Sequence, residues 1–263
     1  MSDREIAVPV PAATILMLRD SPAGMEVFMV VRHHQIDFAS GALVFPGGKV
    51  AAGDEAVRDR CPGAEGLDDT QFSLQVAAIR EAFEECGILL ASERGSQDLI
   101  DSARLATLDH YQEPLAKGEM TIGEFLEKED LVLQLDRLHH FSHWITPEMM
   151  PKRFDTHFYL AIAPADHLAV HDGHESVDSV WIKPEQALQE AEAGTRTVIF
   201  PTRLNIEMLA ESQSVAEALK DAQERKIVTV TPWTDKREDG MYLCIQPEAG
   251  YSISEEKMEG HPA

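Results

Sequence analysis

Apolar positions follow two rhythms along this chain. Residues 12–18 (AATILML) form an unbroken apolar run of strand length, and residues 20–24 (DSPAG) read as a turn. Residues 26–32 (EVFMVVR) predict a second strand, so the chain begins with a hairpin. Residues 38–41 (FASG) turn the chain into a short run at 42–45, which Pro46-Gly47-Gly48 stops. Residues 54–73 are polar and turn-rich and predict a loop. Residues 76–90 (VAAIREAFEECGILL) then switch to helical spacing. Val76, Ile79, Phe83 and Cys86 make a core stripe, and Glu81, Glu84 and Glu85 share the opposite face. Asp69, Thr70 or Ser73 is placed to cap the start of this helix, and Gly87 its end.

Residues 92–143 read as a helical insertion. Leu99, Ile100, Ala103 and Ala106, with Leu105 or Leu108, make one stripe. Thr121 and Glu124 have capping-box spacing ahead of Phe125 and Leu126. Residues 131–138 (LVLQLDRL) continue at helical spacing. Strands are predicted at 154–163 and 179–182. A helix follows from Pro184 to Ala193, with proline in its first turn, and another spans 202–220. Residues 227–231 and 241–246 predict late strands, and the polar stretch 252–263 is expected to fray.

Composition narrows the classes. The chain has 263 residues, 44% of them hydrophobic, enough for one large domain with a substantial insertion. No apolar run approaches the roughly 20 residues of a membrane span, and the N-terminal stretch lacks the basic start of a signal peptide. Lys and Arg number 23 against 46 Asp and Glu, a net charge of -23, which disfavours nucleic acid and anionic membranes as partners. A phosphate-bearing small molecule must then be held by metal ions and a few local cations. Cys61, Cys86 and Cys244 are scattered and odd in number, so no disulfide framework is expected, and the chain is read as cytoplasmic.

Three carboxylates on one helical face repel one another, and a divalent cation relieves that repulsion. Alone, the acidic run reads more readily as a solvated face than as a metal site. The segment Phe45-Pro46-Gly47-Gly48, Asp54 and then Arg80-Glu81-Ala82-Phe83-Glu84-Glu85-Cys86-Gly87-Ile88 together resemble the Nudix box, G-x5-E-x7-R-E-U-x-E-E-x-G-U, with U a bulky apolar residue. Ala82 is smaller than usual, Asp54 stands where the family has Glu, and 25 residues separate Asp54 from Arg80 where the motif has seven. The extra residues are expected to bulge from the surface without moving the helix. The resemblance implies a Nudix fold of the α/β class, an α/β/α sandwich around a mixed sheet, enlarged here by the insertion. It implies hydrolysis of a pyrophosphate in a nucleoside diphosphate derivative, with Mg2+ or Mn2+ as cofactor. By position, Glu84 and Glu85 are the main metal ligands, Glu81 is a ligand or outer partner, and the Gly47 carbonyl completes the site. Arg80 orients a helix carboxylate. A further acidic group before a late strand acts as ligand or base; Glu175 is the first candidate, with Asp172 and Asp178 as rivals.

Residues 143–147 (HWITP) and 151–156 (PKRFDT) resemble the nucleoside diphosphate-linked moiety X motif 19 branch, which also carries a helical insertion and includes enzymes that cleave coenzyme A and acyl-CoA. Arg32 and residues 41–48 partly resemble the signature of CoA-directed members, although the arginine that signature carries within 33–40 is absent. The chain ends in His-Pro-Ala and not in a peroxisomal Ser-Lys-Leu. A CoA-type substrate is therefore expected first, with ADP-ribose, NADH, nucleotide sugars, or a non-hydrolytic ligand sensor as the alternatives. Lys49, Arg32 and Arg153 are the candidate phosphate contacts; Arg153 is equally placed to pair with Asp155. His139, His140 and His143, with His171 and His174, lack any CxxC or HExxH companion and read as helix-surface and packing histidines. The insertion could cap the pocket or form a homodimer interface.

Overall fold

The computed structural model describes residues 6–32, 41–167 and 176–258. The centre of the molecule is β1 (Val10–Ser21), which turns at Gly24 into its antiparallel partner β2 (Gly24–Arg32). β1 is buried on both faces: Ala13, Ile15 and Met17 enter one core, Leu16 and Leu18 the other. That is why its sequence is a continuous apolar run and not an alternation. β3 (Leu43–Val44) pairs with β2. Pro46 does not end the run as expected: Gly47–Lys49 forms β4, antiparallel to Ala12–Thr14 of β1.

The predicted helix is α1, Asp69–Cys86, and starts earlier than its apolar stripe suggests. Its cap is none of the three residues expected but Asp68, whose carboxylate accepts the Gln71 N–H at 2.8 Å. Gly87 ends it in the left-handed conformation, φ 65°, where glycine has no steric penalty.

The insertion departs further from expectation. It opens with β5 (Ala91–Glu93) and continues through α2 (Ser102–Ala106), α3 (Gln112–Ala116) and α4 (Ile122–Glu129). The Thr121/Glu124 capping box is present at α4. Residues 131–138, predicted helical, are β6 (Leu131–Leu133) and a 3-10 turn, because β6 finds a partner in β5. His139–Ile145 is β7 and not a helix surface. The insertion covers the outer face of α1: Phe83 stacks on Phe125 at 5.4 Å, and Tyr111 packs on Phe125 at 5.1 Å.

β8 (Phe154–Ile162) runs parallel to β1 along its length and antiparallel to β7. β9 (Ser176–Ile182) pairs with β2. α5 (Pro184–Glu192), α6 (Phe200–Leu209) and α7 (Val215–Glu224) follow. The single helix expected over 202–220 is two, because Ser214 caps a new start at α7. β10 (Thr229–Val230) extends the sheet beside β7. β11 (Trp233–Arg237), β12 (Gly240–Cys244) and β13 (Glu255–Lys257) form a separate antiparallel sheet, so part of the stretch expected to fray is paired. The eight-stranded mixed sheet runs β10-β7-β8-β1-β2-β3, with β4 on β1 and β9 on β2. α1 and the insertion cover one face, α5 to α7 the other, which is the expected α/β/α arrangement. Among the described residues, no helix is long and apolar enough to cross a membrane.

Candidate active site

Arg80 is the hub of the site. It is buried, and its guanidinium donates to Asp54 Oδ1 at 3.0 Å and Oδ2 at 3.2 Å, to Glu81 Oε1 at 2.9 Å, to Glu84 Oε1 at 3.0 Å, and to the Lys49 carbonyl at 2.8 Å. Burial opposes its charge, but Glu81, Asp54 and Glu84 more than offset that, and its pKa is raised. Asp54 is fully buried and also accepts the Ala51 N–H at 2.8 Å. Its two-point pair with Arg80 closes despite the long spacer. The spacer is absorbed by two 3-10 turns at Asp54–Ala56 and Arg58–Arg60, a loop, and the first turns of α1. Arg58 holds that loop by donating to the Ala64 and Leu67 carbonyls.

The glycine loop meets α1 directly. The Gly47 N–H donates to Glu85 Oε2 at 3.1 Å. At Gly48, a Cβ would stand 2.4–2.6 Å from the Glu81 carboxyl atoms, so only glycine leaves that space open. At Gly47, a Cβ would stand 2.4 Å from the Ala13 carbonyl oxygen on β1. The glycine loop thus packs at backbone distance on β1 and directly against the Glu81 and Glu85 side chains of α1.

Glu84 and Glu85 are both buried; Asp54, Glu81 and Glu84 surround one guanidinium, and Glu85 accepts from the glycine loop. Hard carboxylate donors with an excess of negative charge, and a gap kept free in front of Glu81, fit Mg2+ or Mn2+. Glu81, Glu84 and Glu85 would hold it beside the glycine loop.

A cleft of ≈ 1590 Å³ opens here. Gly47, Gly48, Lys49, Arg80, Glu81 and Glu84 line its polar end, and Lys49 there is exposed. Arg32, at the end of β2, also lines it; its Nε is buried with no hydrogen-bond partner among the described residues. The other walls are largely apolar: Trp144, Phe158 and Phe200 from the sheet and α6. The insertion adds Leu115 to Gly118, and the C-terminal sheet adds Leu243 with Met258 just beyond β13. Sequence reading missed the C-terminal wall, because nothing in a short amphipathic strand signals which cleft it borders.

Two expectations fall elsewhere. Arg153 does not line the cleft, and among the described residues it pairs with no carboxylate. It is buried, and donates to the carbonyls of Thr146 at 2.9 Å and Ala7 at 2.9 Å, tying the β7–β8 connection to the start of β1. With two of its N–H donors on backbone carbonyls and no place in the cleft lining, Arg153 acts as a structural clamp. Glu175 and Asp172, with His171 and His174, lie outside the described residues. Asp178 sits on β9, where its carboxylate accepts the Ser179 N–H.

The fold and this helix-plus-glycine-loop site define a Nudix-class protein. A crystal structure of a NUDIX hydrolase from Alicyclobacillus acidocaldarius matches with a TM-score of 0.66 at 24% identity, covering 82% of this chain and 97% of that one. More narrowly, the chain belongs to the family described as the NUDT19 Nudix domain, whose profile matches residues 58–204, more than half of the chain. A Caenorhabditis elegans protein provisionally named nudix hydrolase 7 is 28% identical over 64% of this chain and 50% of its own length. The Xenopus laevis protein named acyl-coenzyme A diphosphatase NUDT19 is 22% identical over 82% of this chain and 67% of its own. The chain thus spans about half to two thirds of the length of these relatives.

Proposed function

We propose that the chain is a divalent-metal-dependent pyrophosphohydrolase acting on a nucleoside diphosphate derivative, with CoA or acyl-CoA as the substrate cut to 3',5'-ADP and (acyl-)4'-phosphopantetheine. The observation that carries the reading is the Arg80 hub, which fixes Glu81 and Glu84 at the polar end of a cleft beside an open glycine loop. A bound Mg2+ or Mn2+ supplies charge neutralisation at the diphosphate and an acidified water. Arg80 holds the carboxylates in place, and Gly47 orients Glu85 through its N–H. Lys49 and Arg32 offer cations to phosphate oxygens at the cleft wall. The apolar walls suit a pantetheine arm or acyl chain better than a second sugar, and the relatives named acyl-coenzyme A diphosphatase support the same choice. Three scattered cysteines, odd in number, favour a reducing, cytoplasmic setting.

Purified protein with Mg2+ or Mn2+ should release 3',5'-ADP from CoA or an acyl-CoA, read by anion-exchange chromatography. Equal or faster turnover of ADP-ribose, NADH or a nucleotide sugar would overturn the CoA assignment and keep the hydrolase. Glu85→Gln should abolish turnover with the fold intact; full activity in that variant would mean that the metal site lies elsewhere.

A further inference from the structure

The histidines of the β7 segment converge with β8 on a second cluster. His143 on β7 and His157 on β8 are direct cross-strand partners, and Asp155 precedes His157 by two residues, so one sheet face presents all three. Their ligand atoms lie within 4.8 Å of one another. Asp155 Oδ1 stands 2.5 Å from His143 Nε2 and 3.9 Å from His157 Nε2. The remaining ring nitrogens are engaged from behind. His143 Nδ1 meets Thr229 Oγ1 of β10 at 2.8 Å, and His157 Nδ1 meets His140 Nε2 at 3.0 Å. Contacts of this kind orient metal-binding imidazoles and fix which nitrogen points at the ion. The two rings lie 3.8 Å apart at 22°.

The cluster is separate from the carboxylate site. His157 alternates with Thr156 and Phe158, which line the cleft, and shares its side of β8 with Tyr159, part of the α1-side core. None of His143, Asp155 and His157 lines the cleft. Asp155 is 36% exposed while His157 is 8% exposed, so the cluster opens to solvent on one side only.

We propose that His143, Asp155 and His157 form a site for a borderline transition-metal dication of the Zn2+ type. Two imidazoles and one carboxylate are the donors that such an ion prefers and that Mg2+ does not. Bonds of about 2.0 Å to a tetrahedral ion set its ligands about 3.3 Å apart, between the two spacings seen here. Ligation replaces the direct His143–Asp155 hydrogen bond and needs only side-chain rotation, because the strand register already presents the donors. The fourth position faces solvent and takes water. The ion clamps β7 to β8 on either side of the connection that supplies Trp144, Thr146, Met149 and Phe154 to the cleft wall. Its occupancy therefore stiffens one wall of the cleft without entering it.

The test uses the chelator-stripped 263-residue chain with Zn2+ as the probe, in excess Mg2+ to fill the carboxylate site. Equilibrium dialysis should retain one Zn2+ per chain, and Co2+ in its place should give the visible absorption of a tetrahedral ion. His143→Gln and Asp155→Asn, checked for folding by circular dichroism, should weaken Zn2+ by at least about 100-fold, more than loss of an orienting partner costs. Glu84→Gln should leave Zn2+ stoichiometry unchanged. Zn2+ should raise the Tm of the parent chain and not that of His143→Gln. No Zn2+ retained over excess Mg2+, retention unchanged in both ligand variants, or retention lost in Glu84→Gln would each overturn the site.

Discussion

At the scale of single residues, the site depends on one cation and one missing side chain. Arg80 satisfies Asp54, Glu81 and Glu84 together, and none of these groups has comparable access to water. Asp54→Asn breaks the two-point pair and should cost about 3–5 kcal/mol in urea unfolding, the size seen when one partner of a buried pair is removed. Asp54 is shorter than the Glu its motif resembles, but complete burial against Arg80 lets the shorter side chain make both bonds. Gly48 acts by absence. In Gly48→Ala the new methyl collides with the tip of Glu81, which must swing away. Because that tip is flexible, stability should change little, while metal-dependent turnover should fall by about 10–100-fold, as when an orienting partner is lost. A loss of stability equal to that of Asp54→Asn would show that the loop itself had moved.

At the scale of elements, α1 is held at both ends and roofed. Asp68→Ala removes the N-cap and should cost about 1 kcal/mol, read as a lower urea midpoint with an unchanged slope. The roof matters more. Phe125 from α4 is fully buried between Phe83 and Tyr111, so Phe125→Ala should cost about 3–5 kcal/mol. The insertion thereby supports α1 from behind and also reaches the cleft through Leu115 to Gly118. Its helices were visible in spacing because caps and apolar stripes are local. The strand pair β5–β6 was not, since LVLQLDRL satisfies a helical stripe equally well and only the arrival of residues 91–93 decides for a strand. The same holds for residues 202–220, where Ser214 was a cap signal hidden inside a continuous apolar pattern.

At the scale of the whole molecule, two separate polar clusters are built, one of carboxylates on α1 and one of histidines on the sheet. On the α1 face, burial and then the neighbouring His143 and His140 push the pKa of His157 down to about 3, and burial, followed by His143, pushes His140 down to about 4. Between pH 6.5 and those values the unfolded chain binds protons that the folded chain refuses, so stability is complete above about pH 6.5 and is lost as pH falls. In chelator-treated protein the urea midpoint should drop through this window, and His157→Gln should flatten the drop; an equal slope in both would assign acid sensitivity to other groups. The local pattern determined a great deal. The unbroken apolar run of β1 marked a strand, the Arg80 to Gly87 spacing put the acidic residues on one turn of helix, and the Thr121 to Glu124 spacing marked the capping box of α4. Each is a statement about neighbours along the chain, which is what sequence encodes most directly. Only the tertiary structure decided that Asp54 closes on Arg80 across a long spacer, that Arg153 spends its donors on backbone carbonyls, and that His143, Asp155 and His157 share a face. Those outcomes rest on strand register and on which buried group must be satisfied by which distant partner, and neither is set until the sheet is assembled.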